Sequence, residues 1–183
     1  MGNFYVNYTV RSSDADAVAK ALAGRRAFVT SVPGQPVITF DEAADSQDQD
    51  VVKGLGCHLS QVIGCPVLGI LNHDDDILWY GLFESGQCID VYDSDPDYFE
   101  SEGEPRGPTG GDASKLCLAF DSPNQEAVEG ILRSSEYVFA YERHEALVKA
   151  LGLPSYGVAL SFGYISQGEL PHGLSPDNLI EVA

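Results

Sequence analysis

Between residues 65 and 99 the chain alternates short apolar runs with turn chemistry. Residues 66–71, 77–83 and 88–92 are each apolar, long enough for a strand and too short for a typical helix. Asn72-His73-Asp74-Asp75-Asp76 separates the first two runs, and Glu84-Ser85-Gly86 separates the second from the third. Short Asx side chains bond their own backbone and Gly accepts positive φ, so both separators read as tight turns. The pattern predicts a meander of three antiparallel strands. One of its turns is an acidic knot, and a second acidic run, residues 90–100, leaves the last strand.

Upstream, residues 4–10 alternate strictly, with Phe4, Val6, Tyr8 and Val10 on one side, which predicts a strand with one buried face. Ser12-Ser13-Asp14 offers N-caps for a short helix carrying Val18, Ala21 and Leu22 and ending at Gly24. Strands follow over residues 27–32 and 37–40, joined through Pro33-Gly34. Ser46 and Gln49 have the spacing of a capping box, and the helix behind them repeats Val51, Leu55, Leu59 and Val62 before Gly64. The resulting order, βαββαβ, predicts an α+β chain with a ferredoxin-like core. Its antiparallel sheet carries both helices on one face and is extended by the hairpin at residues 77–92. Residues 77–83 are apolar almost without a break, so that part of the sheet needs cover on both faces, and the later helices are the elements to supply it.

Downstream, residues 93–111 collect Pro, Gly and acidic residues and read as a loop. Ala113, Leu116, Cys117 and Phe120 form a helical stripe. Ser122-Pro123-Asn124-Gln125 reads as a second capping box, opening a helix with Val128, Ile131 and Leu132. A further helix starts near Tyr141 and ends at Gly152, ahead of Pro154. Val158, Leu160, Phe162 and Tyr164 alternate as a final strand, and the tail from Ser166 is unpatterned. The whole reads as one domain over residues 1–183: a sheet-forming core over 1–92, an acidic loop over 93–111, and a helical segment with a late strand over 112–183.

Charge narrows the partners. Ten basic residues against 28 acidic ones leave a net −18, which repels phosphate backbones and anionic leaflets. Nucleic acid and membranes are disfavoured, and a basic protein or a cation is favoured. Cysteines 57, 65, 88 and 117 form no CxxC, and each lies in an apolar pattern, as free packed thiols do. No basic-then-apolar leader follows Met1, and no apolar run reaches the roughly 18 residues of a membrane span. A cytoplasmic setting is expected.

The strings MGNFY, LNHDDDILWY and ERHEALVKALGLP, at the start, middle and later part of the chain, resemble a family of small bacterial proteins. The resemblance covers most of the chain and implies one compact domain. It brings no activity, cofactor or catalytic residue.

Two kinds of site are written into the acidic stretches. Hard cations such as Ca²⁺ or Mg²⁺ need several oxygen ligands, which Asp74, Asp76, Asp90, Asp93 and Asp95 would supply if they converge, in a cation-binding module or a metal-dependent hydrolase. Set on an EF-hand loop, Asp93, Asp95, Asp97 and Glu104 fall on the first, third, fifth and last ligand positions. Tyr98 stands where the sharp turn requires Gly, and Pro96 stiffens the loop. The other kind is a protein-binding surface. Asp74, Asp75, Asp76, Asp93, Asp95 and Asp97 flank Trp79, Tyr92, Tyr98 and Phe99, so exposed rings among carboxylates would suit a basic protein partner. By analogy, immunity-type toxin inhibitors share this size and charge.

Nucleophile–base pairs are weak. His73-Asp74 lies in a turn, the neighbours Cys57 and His58 diverge by about 100° on a helix, and His144-Glu145 reads as a solvated helix face. No Walker A or G-x-G-x-x-G pattern occurs, and Arg25-Arg26 is the sole adjacent basic pair. The preferred expectation is therefore a non-enzymatic interaction protein.

Overall fold

The computed structural model describes residues 2–98 and 107–183. In chain order these form β1 (Tyr5–Val10), α1 (Ala15–Ala21), β2 (Ala27–Thr30), β3 (Val37–Asp41), α2 (Gln49–Ile63), β4 (Val67–His73), β5 (Ile77–Glu84) and β6 (Gln87–Asp93). Then come β7 (Thr109–Gly110), α3 (Ala113–Ala119), α4 (Gln125–Arg133), α5 (Ala140–Leu151), α6 (Phe162–Ser166) and β8 (Leu179–Val182). The strands make one sheet in the order β7-β6-β5-β4-β1-β3-β2-β8, antiparallel at every pairing. The architecture is mixed α+β.

Period-two alternation sends neighbouring side chains to opposite faces, and both faces are buried. Val6, Tyr8, Val10, Val67, Leu71, Trp79 and Phe83 pack with Val18 and Leu22 of α1 and Val52, Leu55 and Leu59 of α2. On the other face Tyr5, Leu68, Ile70, Leu78, Tyr80, Leu82 and Tyr92 pack with α3, α4 and α5 through Leu116, Val128, Leu132 and Leu147. The later helices therefore do cover the meander. Ile38 and Phe40 are covered by Leu160, Phe162, Ile165 and Leu174.

Glycines make one close packing possible. The Phe83 ring lies between strand and helix where a Cβ on Gly56 would come to 2.3 Å, on Gly81 to 2.5 Å, and on Gly69 to 3.2 Å. The hairpin turn ahead of β6 places Ser85 and Gly86 at φ 51° and 79°, as the turn chemistry predicts.

Several expectations are corrected. The late strand over 158–164 does not form: Ala159 takes φ 57°, and Phe162 onward is helical, capped by Ser161 accepting from Tyr164 N. The buried Asn7 side chain donates to the carbonyls of Gly157 (2.7 Å) and Leu160 (3.2 Å), which holds this segment flat on the sheet in place of a ladder. The last strand is instead β8, in the tail, paired with β2. The 93–111 stretch also holds β7, two residues beside Tyr92 and Asp93.

Neither capping box forms. Asp48 caps α2, accepting from the amides of Asp50 and Val51, while Asn124 precedes α4 and Ser122 Oγ donates to Ala150 O. Cys88 is exposed, not packed, and all four thiols are free. His144 is not on a solvated face. It is 2% exposed, stacked on Tyr5 with Nδ1 3.0 Å from the Tyr5 hydroxyl, and only Glu145 beside it faces solvent.

Two stability outcomes follow. Gly56→Ala drives a methyl into Phe83 and should cost about 1–3 kcal/mol despite its better helix propensity. Gly54→Ala, with nothing within 4 Å, should gain about 0.5–1 kcal/mol, both read by urea denaturation. Burial lowers the His144 pKa from 6.5 to about 3. The unfolded chain therefore takes up a proton at a pH where the folded one does not. This contribution to stability is complete above pH 6.5 and drains as pH falls toward 3. Between pH 7 and 5 it amounts to about 2 kcal/mol, a slope that His144→Gln should lack.

Candidate functional site

The turn between β4 and β5 is where separate parts of the chain meet. Asp74 and Asp75 sit at φ 53° and 61°, a left-handed pair that Asx residues tolerate, and Asp76 N closes the turn on His73 O at 3.0 Å. Asp75 is 7% exposed. Its carboxylate accepts from Asn3 N at 3.0 Å, Asn3 Nδ2 at 2.9 Å and Asn72 Nδ2 at 3.0 Å. Its carbonyl accepts the Ala140 amide at the start of α5, at 2.6 Å. Asp74 accepts from Gly2 N at 2.9 Å, and a Cβ on Gly2 would fall 2.0 Å from Asp74 O. So Asp75 is corrected from a binding residue to an internal fastener, because its lone pairs are spent on the fold.

The acidic turn and the segment after β6 do reach the same end of the sheet. Tyr98 donates its hydroxyl to Asp76 Oδ2 at 2.9 Å, and that bond pushes the phenol upward. His73 lies edge-on to Phe4 at 4.9 Å and to Tyr98 at 6.1 Å. Gln47 Nε2 donates to Asn72 O, so its Oε1 accepts, and His73 Nδ1, 2.6 Å away, carries the proton. Burial raises the Asp93 carboxyl; the Asp95 amide on Oδ1 opposes this, while the charges of Asp95 and Asp97 reinforce it.

Two cavities flank the segment, with Asp95 in the wall of both. One, of 230 Å³, includes Asp76, Ser94, Tyr137, Phe139 and Arg143; the other, of 370 Å³, includes Gln47, His73, Trp79 and Asp93. No lysine or arginine lines the larger one among the described residues.

The five carboxylates proposed for Ca²⁺ or Mg²⁺ do not converge. Asp90 Oδ2 accepts from Tyr80 OH (2.7 Å) and Asp112 N (2.8 Å) under α3, while Asp74 and Asp76 are bonded to Gly2 and Tyr98. Among the described residues no three His, Cys, Asp or Glu side chains form a group able to hold a metal ion. Asp93 ends a strand and Asp95 and Asp97 follow it, with no helix directly before them, and Phe99 and Glu104 lie outside the described residues.

Trp79 and Tyr92 are also corrected: at 2% and 0% exposure they are core, Trp79 flooring the larger cavity and Tyr92 bonding Leu132 O. The exposed apolar groups at this end are Phe4, Tyr98, Val138 and Phe139. Phe4, which the alternating pattern places on the buried side of its strand, is exposed instead, and sequence reasoning passed over Val138-Phe139, whose signal is two large apolar residues just ahead of a helix.

Removing the fastener should be costly. Asp75→Ala strips the acceptor from three donors and places Ala at positive φ, with an expected loss of about 3–5 kcal/mol in urea denaturation. Asp76→Ala, at the same turn, should cost under about 1 kcal/mol because its bond is exposed.

No helix among the described residues is long and apolar enough to cross a membrane. No family model, curated protein or solved structure matches the chain.

Proposed function

We propose that the chain is a non-enzymatic, cytoplasmic interaction protein that docks a basic protein on the end of the sheet bearing the β4–β5 turn. The observation carrying this reading is the exposure of Phe4 (42%), Tyr98 (38%), Val138 (74%) and Phe139 (45%) beside Asp74, Asp76 and Asp95. Apolar anchors with a carboxylate rim are the composition of a protein-binding hot spot, where the rings supply affinity and the charges speed encounter. Much of the chain's positive charge is engaged internally: Arg11 with Asp121, Arg25 with Asp41, Arg26 with Glu42 and Arg133 with Glu129.

The order β4-β1-β3-β2, with α1 and α2 packed on one face, supports reading the first half as a ferredoxin-like βαββαβ core extended by β5 and β6. That scaffold implies no chemistry by itself. An immunity-type role fits the size and charge by analogy alone.

The test is a quantitative pull-down with immobilised protein at low and high salt. Basic proteins should be retained at about 50 mM salt and released by about 500 mM. Asp76→Lys with Asp95→Lys should cut recovery at least about tenfold. Glu169→Lys with Glu181→Lys, an equal change of net charge on exposed residues elsewhere, should leave it nearly intact. Equal losses from the two pairs would mean that net charge alone is at work, and the surface assignment would fall.

A further inference from the structure

We infer that the 230 Å³ cavity is a receptor for a small zwitterion, a free α-amino acid, with Arg143 facing the ligand's carboxylate and Asp76 and Asp95 its ammonium group. The inference starts from Arg143, which is 5% exposed and carries a full positive charge into the interior. Its Nη1 donates to Ile131 O at 2.7 Å and Leu132 O at 3.4 Å, and its Nη2 to Ser134 O at 2.8 Å. Tyr137 and Tyr92 lie 4.8 and 6.0 Å from the guanidinium. These carbonyls and rings fix its position, yet none is an anion. Among the described residues Arg143 forms no ion pair, unlike Arg11, Arg25, Arg26 and Arg133. A guanidinium has five N–H groups, so donors remain beyond the three bonds it makes. A buried cation without a counter-ion is costly, and an anion entering the cavity would relieve that cost.

Two further features agree in sign. Phe139 and Ala140, at the start of the twelve-residue α5, line the same cavity, and the positive end of a helix favours a carboxylate. Ser94 and Ser134 also line it, with oxygens held by the amides of Leu78 and Glu136, so each hydroxyl proton is left to donate. A simple anion would meet the opposing charges of Asp76 and Asp95, whereas a molecule carrying both signs satisfies the two ends together. The volume corresponds to about eight waters at ~30 Å³ each, which suits a small amino acid.

The inference goes beyond partner docking, since binding a small ligand in this cavity needs no second protein. It is tested by NMR titration of the isolated chain with L-alanine and L-serine, beside propionate and ethylamine at matched ionic strength. Saturable shifts of Ser94, Ser134 and Ala140 amides with the amino acids, and at least tenfold weaker response to either half-probe, are expected. Asp95→Asn, on the rim, should weaken alanine binding at least tenfold with the spectrum otherwise native. Arg143→Lys should weaken it too, and Arg133→Lys, outside the cavity, should not. Propionate binding as well as alanine would overturn the zwitterion assignment. So would an absence of saturable shifts up to about 10 mM, above the usual range for small ligands.

Discussion

An antiparallel sheet that is apolar on both faces cannot end with its strands, because each uncovered face would leave a large hydrophobic area in water. In this chain Leu68, Ile70, Leu78, Tyr80 and Leu82 point one way while Val67, Leu71, Trp79 and Phe83 point the other. The first half can cover only one side, with α1 and α2. The second half exists in its observed form because α3, α4 and α5 must lie on the opposite side. Polar groups then pin those covers in place: Asn7 holds the 157–160 segment, Asp75 receives the start of α5, and Arg143 ties α4 to α5.

The same requirement concentrates chemistry at one end of the molecule. The turn of β4 and β5, the exit of β6 and the entry to α5 all arrive there, since antiparallel neighbours turn at common ends. Carboxylates from two connections, the exposed rings and the buried guanidinium therefore become neighbours although they are distant in sequence. Their energetic roles differ sharply. Asp75 is consumed by backbone and amide donors, Asp76 keeps an exposed phenol, and Asp93 is half-withdrawn from solvent.

What could be read from residue order was whatever has a local cause. The 77–83 run and its Glu84-Ser85-Gly86 turn, the helix ended by Gly64 and the helix ended by Gly152 all depend on periodicity or positive φ within a few residues. The failures are non-local. The 158–164 alternation was strand-like, but Asn7, some 150 residues earlier, claims its carbonyls. His144 and Arg143 sit among charged neighbours, and only the sheet packed against α5 makes them interior. At the site, the meeting of the two acidic stretches followed from strand direction. The burial of Trp79 and Tyr92 did not, because an aromatic beside acids looks the same in sequence whether it lines a core or a surface.

The pairing of β8 with β2 carries a consequence for how the chain is made. Residues 179–182 supply the hydrogen-bonding neighbour for residues 27–30, so a ribosome releases one side of that ladder long before the other. Until then β2 presents unsatisfied backbone groups, the kind of border along which nascent chains adhere to one another. Completing the sheet thus joins strands some 150 residues apart, and such long loop closures slow folding. A four-residue strand decides when that border of the sheet is closed.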